Sequence, residues 1–237
     1  MTPEVEAVIL DMDGLMLDTE PLYKVAWQAA SAELGYALDD YSYAKLVGRQ
    51  TEDCERELIE QFGSAFPLGR FRERWPDLWR AEVAAKGIQR KSGLLEFLAL
   101  LEKERLRVGV ATSSGKDYTT LSLRHAGLAG RFTVIVTGDE VARGKPAPDI
   151  YLEAARRLEV APGACIALED SDAGVLAASR AGMCALLIPD WTRPCDAAIR
   201  SAFRVLDSLE EAHDVVAGLV ADARFKQRLA TRLEPLT

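Results

Sequence analysis

From Asp18 to about Gly87 the sequence carries only helical patterns, yet the stretch lies between two short apolar runs of the kind that form buried strands. A single crossover between neighbouring strands needs far less chain. An inserted all-helical domain over residues 18–87 is therefore expected, with residues 1–17 and 88–237 forming one core domain around it. The first inserted helix has Asp18 or Thr19 as N-cap and Pro21 in its first turn, sets Leu22, Val25, Ala26 and Ala29 on one face, and stops at Gly35. Further helices are expected over Glu52 to Phe62 and about Phe71 to Lys86, the latter with Trp75 and Trp79 spaced i, i+4 and a break or restart at Pro76. The two tryptophans read as packing residues. Arg70, Arg72, Arg74 and Arg80 alternate with Glu73, Asp77 and Glu82, which is the composition of a solvated helix face.

Outside the insertion, short apolar runs recur at residues 5–10, Arg107 to Ala111, Phe132 to Thr137, Cys165 to Leu168, Cys184 to Ile188 and Arg204 to Leu206. Helical patterns separate them, such as Leu94, Leu95, Leu98 and Leu101, or Ile150, Leu152, Ala154, Ala155 and Leu158. This alternation implies an α/β core, a Rossmann-like and mainly parallel sheet with helices on both faces. Ligands of such sheets bind at the carboxyl ends of the strands. One or two amphipathic helices close the chain from Leu209 to Leu236.

With 237 residues and a net charge of -8, the chain can bury a sizeable core but offers no broad basic surface, which disfavours nucleic acid and anionic membranes as partners. Cys54, Cys165, Cys184 and Cys195 form no CxxC pair, and Cys165 and Cys184 sit in strand-like runs as small buried apolar residues. A reducing, cytoplasmic setting is expected. No secretory signal is evident at Met1 to Glu6, and no apolar stretch approaches the roughly 20 residues that span a bilayer.

The first apolar run, Val8-Ile9-Leu10, delivers Asp11 and Asp13 into a turn at Gly14. Acids beside a buried strand are costly unless hydrogen bonds, a metal or catalysis compensates. Taken alone, DxDG is equally readable as a turn whose carboxylates cap backbone N–H groups. A second acidic pair, Glu169-Asp170, follows the run Cys165-Ile166-Ala167-Leu168, and two acid-bearing strand ends suggest one shared divalent cation. Two further strand ends carry Thr112-Ser113-Ser114-Gly115 and the loop that leads to Lys145. Carboxylates for a hard cation, together with hydroxyl, N–H and ammonium donors for an anion, suit Mg2+ plus a phosphate.

The segments DMDGLMLDTE, VGVATSS, GKPAPD and ALEDSDAGVLAASRAG, in this order, resemble the four motifs of the haloacid dehalogenase (HAD) superfamily. The resemblance is to the branch with a helical cap after the first strand, near the β-phosphoglucomutase and sugar-phosphate phosphatase group. It implies that Asp11 is the nucleophile forming an aspartyl-phosphate and a ligand of Mg2+. Asp13 would be the proton donor and acceptor, with its carbonyl on the metal. Thr112 and Ser113 would bind phosphoryl oxygens, and Lys145 would bridge phosphate and nucleophile. Asp170 would ligate the metal directly, and Glu169 directly or through water; Asp172 is either the next helix's N-cap or part of the metal's surroundings. Glu20, Tyr23, Arg49, Gln50, Ser114 and Lys116 are the candidate contacts to substrate or closing cap. Leu17-Asp18 and Lys86 to Lys91 would be the hinges.

Several functions remain to be weighed. The family's dehalogenases lack the second motif carboxylate, and a halide leaving group needs no proton, so Asp13 points to phosphoesters. The β-phosphoglucomutases carry a cap histidine and an arginine where this chain has Tyr23 and Thr51. Hydrolysis of a small phosphorylated metabolite, a sugar or polyol phosphate, is thus favoured over a phosphosugar mutase. A Ser-His-Asp hydrolase is disfavoured, since there is no GxSxG and the histidines are His125 and His213. A non-catalytic binding protein of this fold would be expected to have lost a motif acid. Monomer and weak dimer both remain open.

Overall fold

The computed structural model describes residues 5–47 and 51–233. In chain order its elements begin with β1 (Ala7–Leu10), β2 (Leu17–Asp18), α1 (Glu20–Glu33), α2 (Asp40–Ala44), α3 (Thr51–Phe62), α4 (Leu68–Lys86) and β3 (Gln89–Arg90). They continue with α5 (Leu94–Lys103), β4 (Arg107–Ala111), α6 (Lys116–His125), β5 (Val134–Val136), α7 (Asp149–Leu158) and β6 (Cys165–Glu169). The last are α8 (Asp172–Arg180), β7 (Cys184–Leu187), α9 (Asp196–Ser201), β8 (Arg204–Val205) and α10 (Leu209–Leu233). The chain divides into two compact units, one holding residues up to Leu17 and from Arg90 onward, the other Asp18–Gln89.

The larger unit is built on a six-stranded sheet in the order β5-β4-β1-β6-β7-β8, and every recorded pairing in it is parallel. β1 lies between β4 and β6, with Ile9 opposite Gly109 on one side and Ala167 on the other. Strand residues alternate between the two faces. Ala7, Ile9, Ala111, Val136, Cys165, Ala167, Ala185 and Leu187 fill a core with Ile150, Tyr151 and Ala154 of α7 and Val175, Ala177 and Ala178 of α8. Val8, Leu10, Val110, Leu168 and Leu186 point the other way and are equally buried, so both faces are covered. That is why each run reads as continuously apolar. α5 packs on α10, a single helix.

Three apolar positions expected inside lie on the surface: Leu95, Leu152 and Val25. Phe97, Tyr151 and Trp27 are buried instead. Leu22, Ala26, Leu94, Leu98, Leu101, Ile150, Ala154, Ala155 and Leu158 stay inside as expected, so only the flank of each stripe differs, where the bulkier residue takes the interior.

The smaller unit is helical, with Trp27, Ala30, Leu38, Tyr43, Leu46, Leu58, Phe66 and Phe71 at its centre. Trp27 meets Phe71 edge-on at 5.1 Å, and Tyr23 stacks on Trp79 at 5.9 Å. α4 runs unbroken through Pro76, against the expected break. An interior proline costs about 3 kcal/mol, and the burial of Phe71 and Trp79 on either side of it offsets that cost. Arg72, Arg74 and Arg80 pair with Glu55, Glu33 and Asp77, as a solvated face should. Among the described residues no helix is long and apolar enough to cross a membrane.

Candidate active site

Three adjacent strands, β4, β1 and β6, carry polar residues at their carboxyl ends. Sheet-like bonding extends one residue beyond two of them: the Asp11 N–H donates to the Leu168 carbonyl and the Thr112 N–H to the Val136 carbonyl, each at 3.0 Å. Asp11 is thereby held rigidly and is 6% exposed.

Lys145 enters from the loop between β5 and α7 and is buried beside it. Its Nζ donates to Asp11 Oδ1, to the Ala111 carbonyl at 2.9 Å and to Glu169 Oε1 at 2.6 Å, which uses all three ammonium protons. Burial works against the charge on Lys145, but the carboxylates of Asp11 and Glu169 outweigh it and lift the ammonium above its usual range.

Glu169 is fully buried and needs several donors to be tolerated there. Besides Lys145, the Tyr151 hydroxyl donates to Oε1 at 2.5 Å and the Ser171 hydroxyl to Oε2 at 3.1 Å. Ser171 also caps α8, accepting from the Gly174 N–H at 3.1 Å. A Cβ on Gly174 would stand 1.9–2.0 Å from the Glu169 carboxylate. Gly174→Ala is therefore expected to displace Glu169 and to cost about 1–3 kcal/mol in urea unfolding; a variant as stable as the wild type would contradict this packing.

Asp170 completes the acidic group. Gly14 adopts φ +80°, and a Cβ there would lie 2.1 Å from Asp170 Oδ2, so the turn after β1 needs a glycine on both counts. Asp11, Glu169 and Asp170 each offer an oxygen, all within 4.8 Å of one another. Burial raises Asp170 well above the usual carboxylate range, with Asp11 and Glu169 adding to it. With all three carboxylates ionised, the one ammonium would leave two negative charges in a largely buried place, an excess that one divalent cation would balance. An all-oxygen donor set fits a hard cation.

Burial also pushes Asp11 up to about 8, against the pull of Lys145 and with Glu169 and Asp13 adding to it. An acid whose folded pKa exceeds its unfolded value of about 4 binds more protons when folded, so stability falls as pH rises from about 4 toward 8. Thermal unfolding in EDTA should give a lower Tm at about pH 8 than at about pH 5, and Asp11→Asn should flatten the slope. A chelated wild type whose Tm rises across that window would refute the assignment.

Asp13 is half-exposed and faces the turn after β4. Its Oδ2 accepts from the Ser114 hydroxyl and its Oδ1 from the Tyr118 hydroxyl, both at 2.8 Å. Thr112 is buried, and its Oγ1 accepts the Ser114 N–H at 3.1 Å. Ser113 lies beside it at the surface. The turn after β4 is fastened to the turn after β5: the Gly138 N–H donates to the Ser114 carbonyl at 2.9 Å, and the Lys116 N–H to Asp139 Oδ2 at 3.2 Å. A Cβ on Gly138 would stand 2.2 Å from the Ser113 carbonyl oxygen.

Among the expected site residues, Asp11, Lys145, Glu169 and Asp170 thus converge, with Asp13, Thr112, Ser113 and Ser114 on the neighbouring turns. Glu20 and Tyr23 belong to the helical unit, where Glu20 accepts from the Tyr43 hydroxyl at 2.6 Å and Tyr23 lies against Trp75 and Trp79. Arg49 and Gln50 lie outside the described residues, as does the side chain of Thr51. Asp172 is not the N-cap of α8; Ser171 is, and the Asp172 carboxylate instead accepts the Cys195 N–H at 3.1 Å. Sequence reasoning missed Tyr118, Tyr151 and Ser171, and also Asp190, whose carboxylate pairs with Lys91 at 2.5 Å. Tyr118 and Tyr151 stand in the first turns of helices that follow site-bearing loops, the one signal that could have drawn attention to them.

Residues 8–188 match the family of haloacid dehalogenase-like hydrolases, and the chain belongs to that family. It is 33% identical over 179 residues to the phosphorylated carbohydrates phosphatase of Thermotoga maritima, covering 76% of this chain and 82% of that one. It is 35% identical over 198 residues to a probable pseudouridine-5'-phosphatase of Drosophila melanogaster, covering 79% and 83% respectively. Among solved structures, a putative β-phosphoglucomutase from Thermotoga maritima superposes with a TM-score of 0.78 at 29% identity, over 90% of this chain and 99% of that one.

Proposed function

We propose that this protein is a Mg2+-dependent phosphatase of small phosphomonoesters, with sugar or polyol phosphates as its substrates. The observation that carries the reading is the buried Asp11–Lys145–Glu169 arrangement, with Asp170 beside it and Asp13 two residues along the chain. The relatives named as phosphatases of phosphorylated carbohydrates and of pseudouridine 5'-phosphate support the substrate class.

In this reading an Asp11 oxygen attacks phosphorus while Asp13 gives its proton to the departing alcohol. Asp13 then takes a proton from the water that attacks the phosphoryl-enzyme, which releases inorganic phosphate and restores both carboxyl groups. Lys145 orients Asp11 and offsets charge on the phosphoryl oxygens, and Thr112 and Ser113 donate hydrogen bonds to them. Asp11, Glu169, Asp170 and the Asp13 carbonyl would hold Mg2+, which when bound offsets the negative charge that otherwise keeps a carboxylate from approaching a phosphate. The Asp18–Gln89 unit is assigned the role of cap, and Glu20, Tyr23, Arg49, Gln50, Ser114 and Lys116 are the residues assigned to substrate choice. Four cysteines, Cys54 and Cys165 among them buried, suit a reducing, cytoplasmic setting.

The test is a panel of sugar, polyol and nucleotide phosphates assayed for phosphate release with Mg2+ and with EDTA. Release of phosphate from small sugar or polyol esters, abolished by EDTA, is expected. No metal-dependent release from any ester would overturn the reading. The solved structure named a putative β-phosphoglucomutase makes one control necessary: β-glucose 1-phosphate with a bisphosphate primer. Isomerisation outrunning phosphate release would identify a mutase instead.

A further inference from the structure

We infer that Tyr118, together with Ser114, positions Asp13 for proton transfer: two hydroxyls, one on each carboxylate oxygen, clamp the side chain in place. The inference rests on the reading of Asp13 as the proton donor and acceptor. Asp13 sits on the turn beyond β1, next to Gly14 at φ +80°, in a half-exposed place. The segment after β4 supplies two hydrogen bonds to its carboxylate. β4 lies beside β1 in parallel register, so the segment that leaves β4 runs alongside the Asp13 turn. Ser114 precedes the helix start at Gly115, and Tyr118 is the third residue of α6, so one rigid strand-to-helix passage presents both hydroxyls. Each is 2.8 Å from its own oxygen of Asp13. Two bonds on two oxygens fix both torsions of the side chain.

Hydroxyls suit this task better than an ammonium group would, since an ammonium can only donate. A serine or tyrosine O–H can donate or accept, so it can serve a carboxylate and a carboxylic acid alike. When Asp13 is ionised, both hydroxyls donate to it. When it carries the proton it will give away, one hydroxyl can turn and accept while the other still donates. The clamp therefore survives both halves of the reaction. In the first half, the Asp11 oxygen–phosphorus bond forms as the ester phosphorus–oxygen bond breaks, and the departing oxygen takes the Asp13 proton. In the second, water bonds to phosphorus, its proton returns to Asp13, and the bond to Asp11 breaks. Holding a reacting group within a narrow range of orientations is a large part of what makes such transfers fast.

A purely structural tyrosine would slow all substrates alike, whereas a tyrosine that aims the acid changes kcat/KM, which reports the first half of the reaction, only when the leaving group needs a proton. The experiment measures kcat/KM for p-nitrophenyl, phenyl and alkyl phosphates in wild type, Asp13→Asn, Tyr118→Phe, Ser114→Ala and the Ser114→Ala/Tyr118→Phe double variant. Tyr118→Phe should lose about ten-fold on the alkyl phosphate while staying within about two-fold on the p-nitrophenyl ester, and the double variant should approach the leaving-group dependence of Asp13→Asn. Equal losses across the series in both Tyr118→Phe and Ser114→Ala would overturn the inference while leaving Asp13 its role. If Asp13→Asn itself shows no preference for the better leaving groups, the reading of Asp13 falls, and the inference with it. Should Tyr118→Phe fail to fold, Ser114→Ala reads the same dependence.

Discussion

Asp11→Asn is expected to lose turnover on every phosphate ester by on the order of 10^5-fold, the scale seen when a covalent nucleophile is removed. The substitution is close to isosteric, and the amide oxygen can still accept from Lys145, so the fold is expected to survive. Stability in the absence of metal should even rise at neutral pH, because Asp11, pushed up to about 8 by burial, must take up a proton to be buried and an amide need not. Two measurements separate a chemical from a structural failure. Acid-quenched wild type caught during turnover should carry a phosphoryl group on the peptide containing Asp11, and the variant, folded by circular dichroism, should carry none. Undiminished hydrolysis by the variant would remove Asp11 from the chemistry altogether.

The second large effect concerns Lys145, which is more deeply committed to the architecture than its place in a loop suggests. Its three protons go to Asp11, the Ala111 carbonyl and Glu169. Lys145→Met keeps most of the stem volume but leaves those carboxylates facing each other in a buried place. Breaking a buried pair by removing one partner costs about 3–5 kcal/mol. The loss read from urea unfolding should be smaller at about pH 5 than at about pH 8, because unpaired buried carboxyls take up protons as the solution becomes more acidic. Turnover should vanish at either pH. Wild-type stability in this variant would mean that Lys145 is a solvated loop residue, in conflict with its burial.

The core was legible because its sheet is covered on both faces, which leaves each strand as an unbroken apolar run ending in polar residues. Arg107–Ala111 is recovered to the residue, whereas the run at Phe132 to Thr137 shrinks to Val134–Val136. Helix faces were harder to read. Val25 and Leu152 fit a helical stripe as well as Trp27 and Tyr151 do, and only tertiary packing decides which side goes in. Pro76 gives a local signal to break that the aromatic packing of the whole helix overrides. At the site, Asp11, Glu169 and Asp170 announce themselves as charged groups next to apolar runs, where isolated charge is untenable, while Lys145 is picked out by the GKPAPD segment. Tyr118, Tyr151 and Ser171 do not, since a hydroxyl early in a helix is commonplace and no spacing ties it to a distant carboxylate. Hydroxyls that tune an acid have to be found in space.

The contact between Gly138 and the Ser113 carbonyl bears on any attempt to redesign this scaffold. With room for nothing larger than hydrogen at position 138, the segments 113–116 and 138–140 are fitted to each other as one packed piece. Libraries that diversify one and freeze the other would mostly sample misfits, so new specificities should be sought by varying the two together while the glycine is kept.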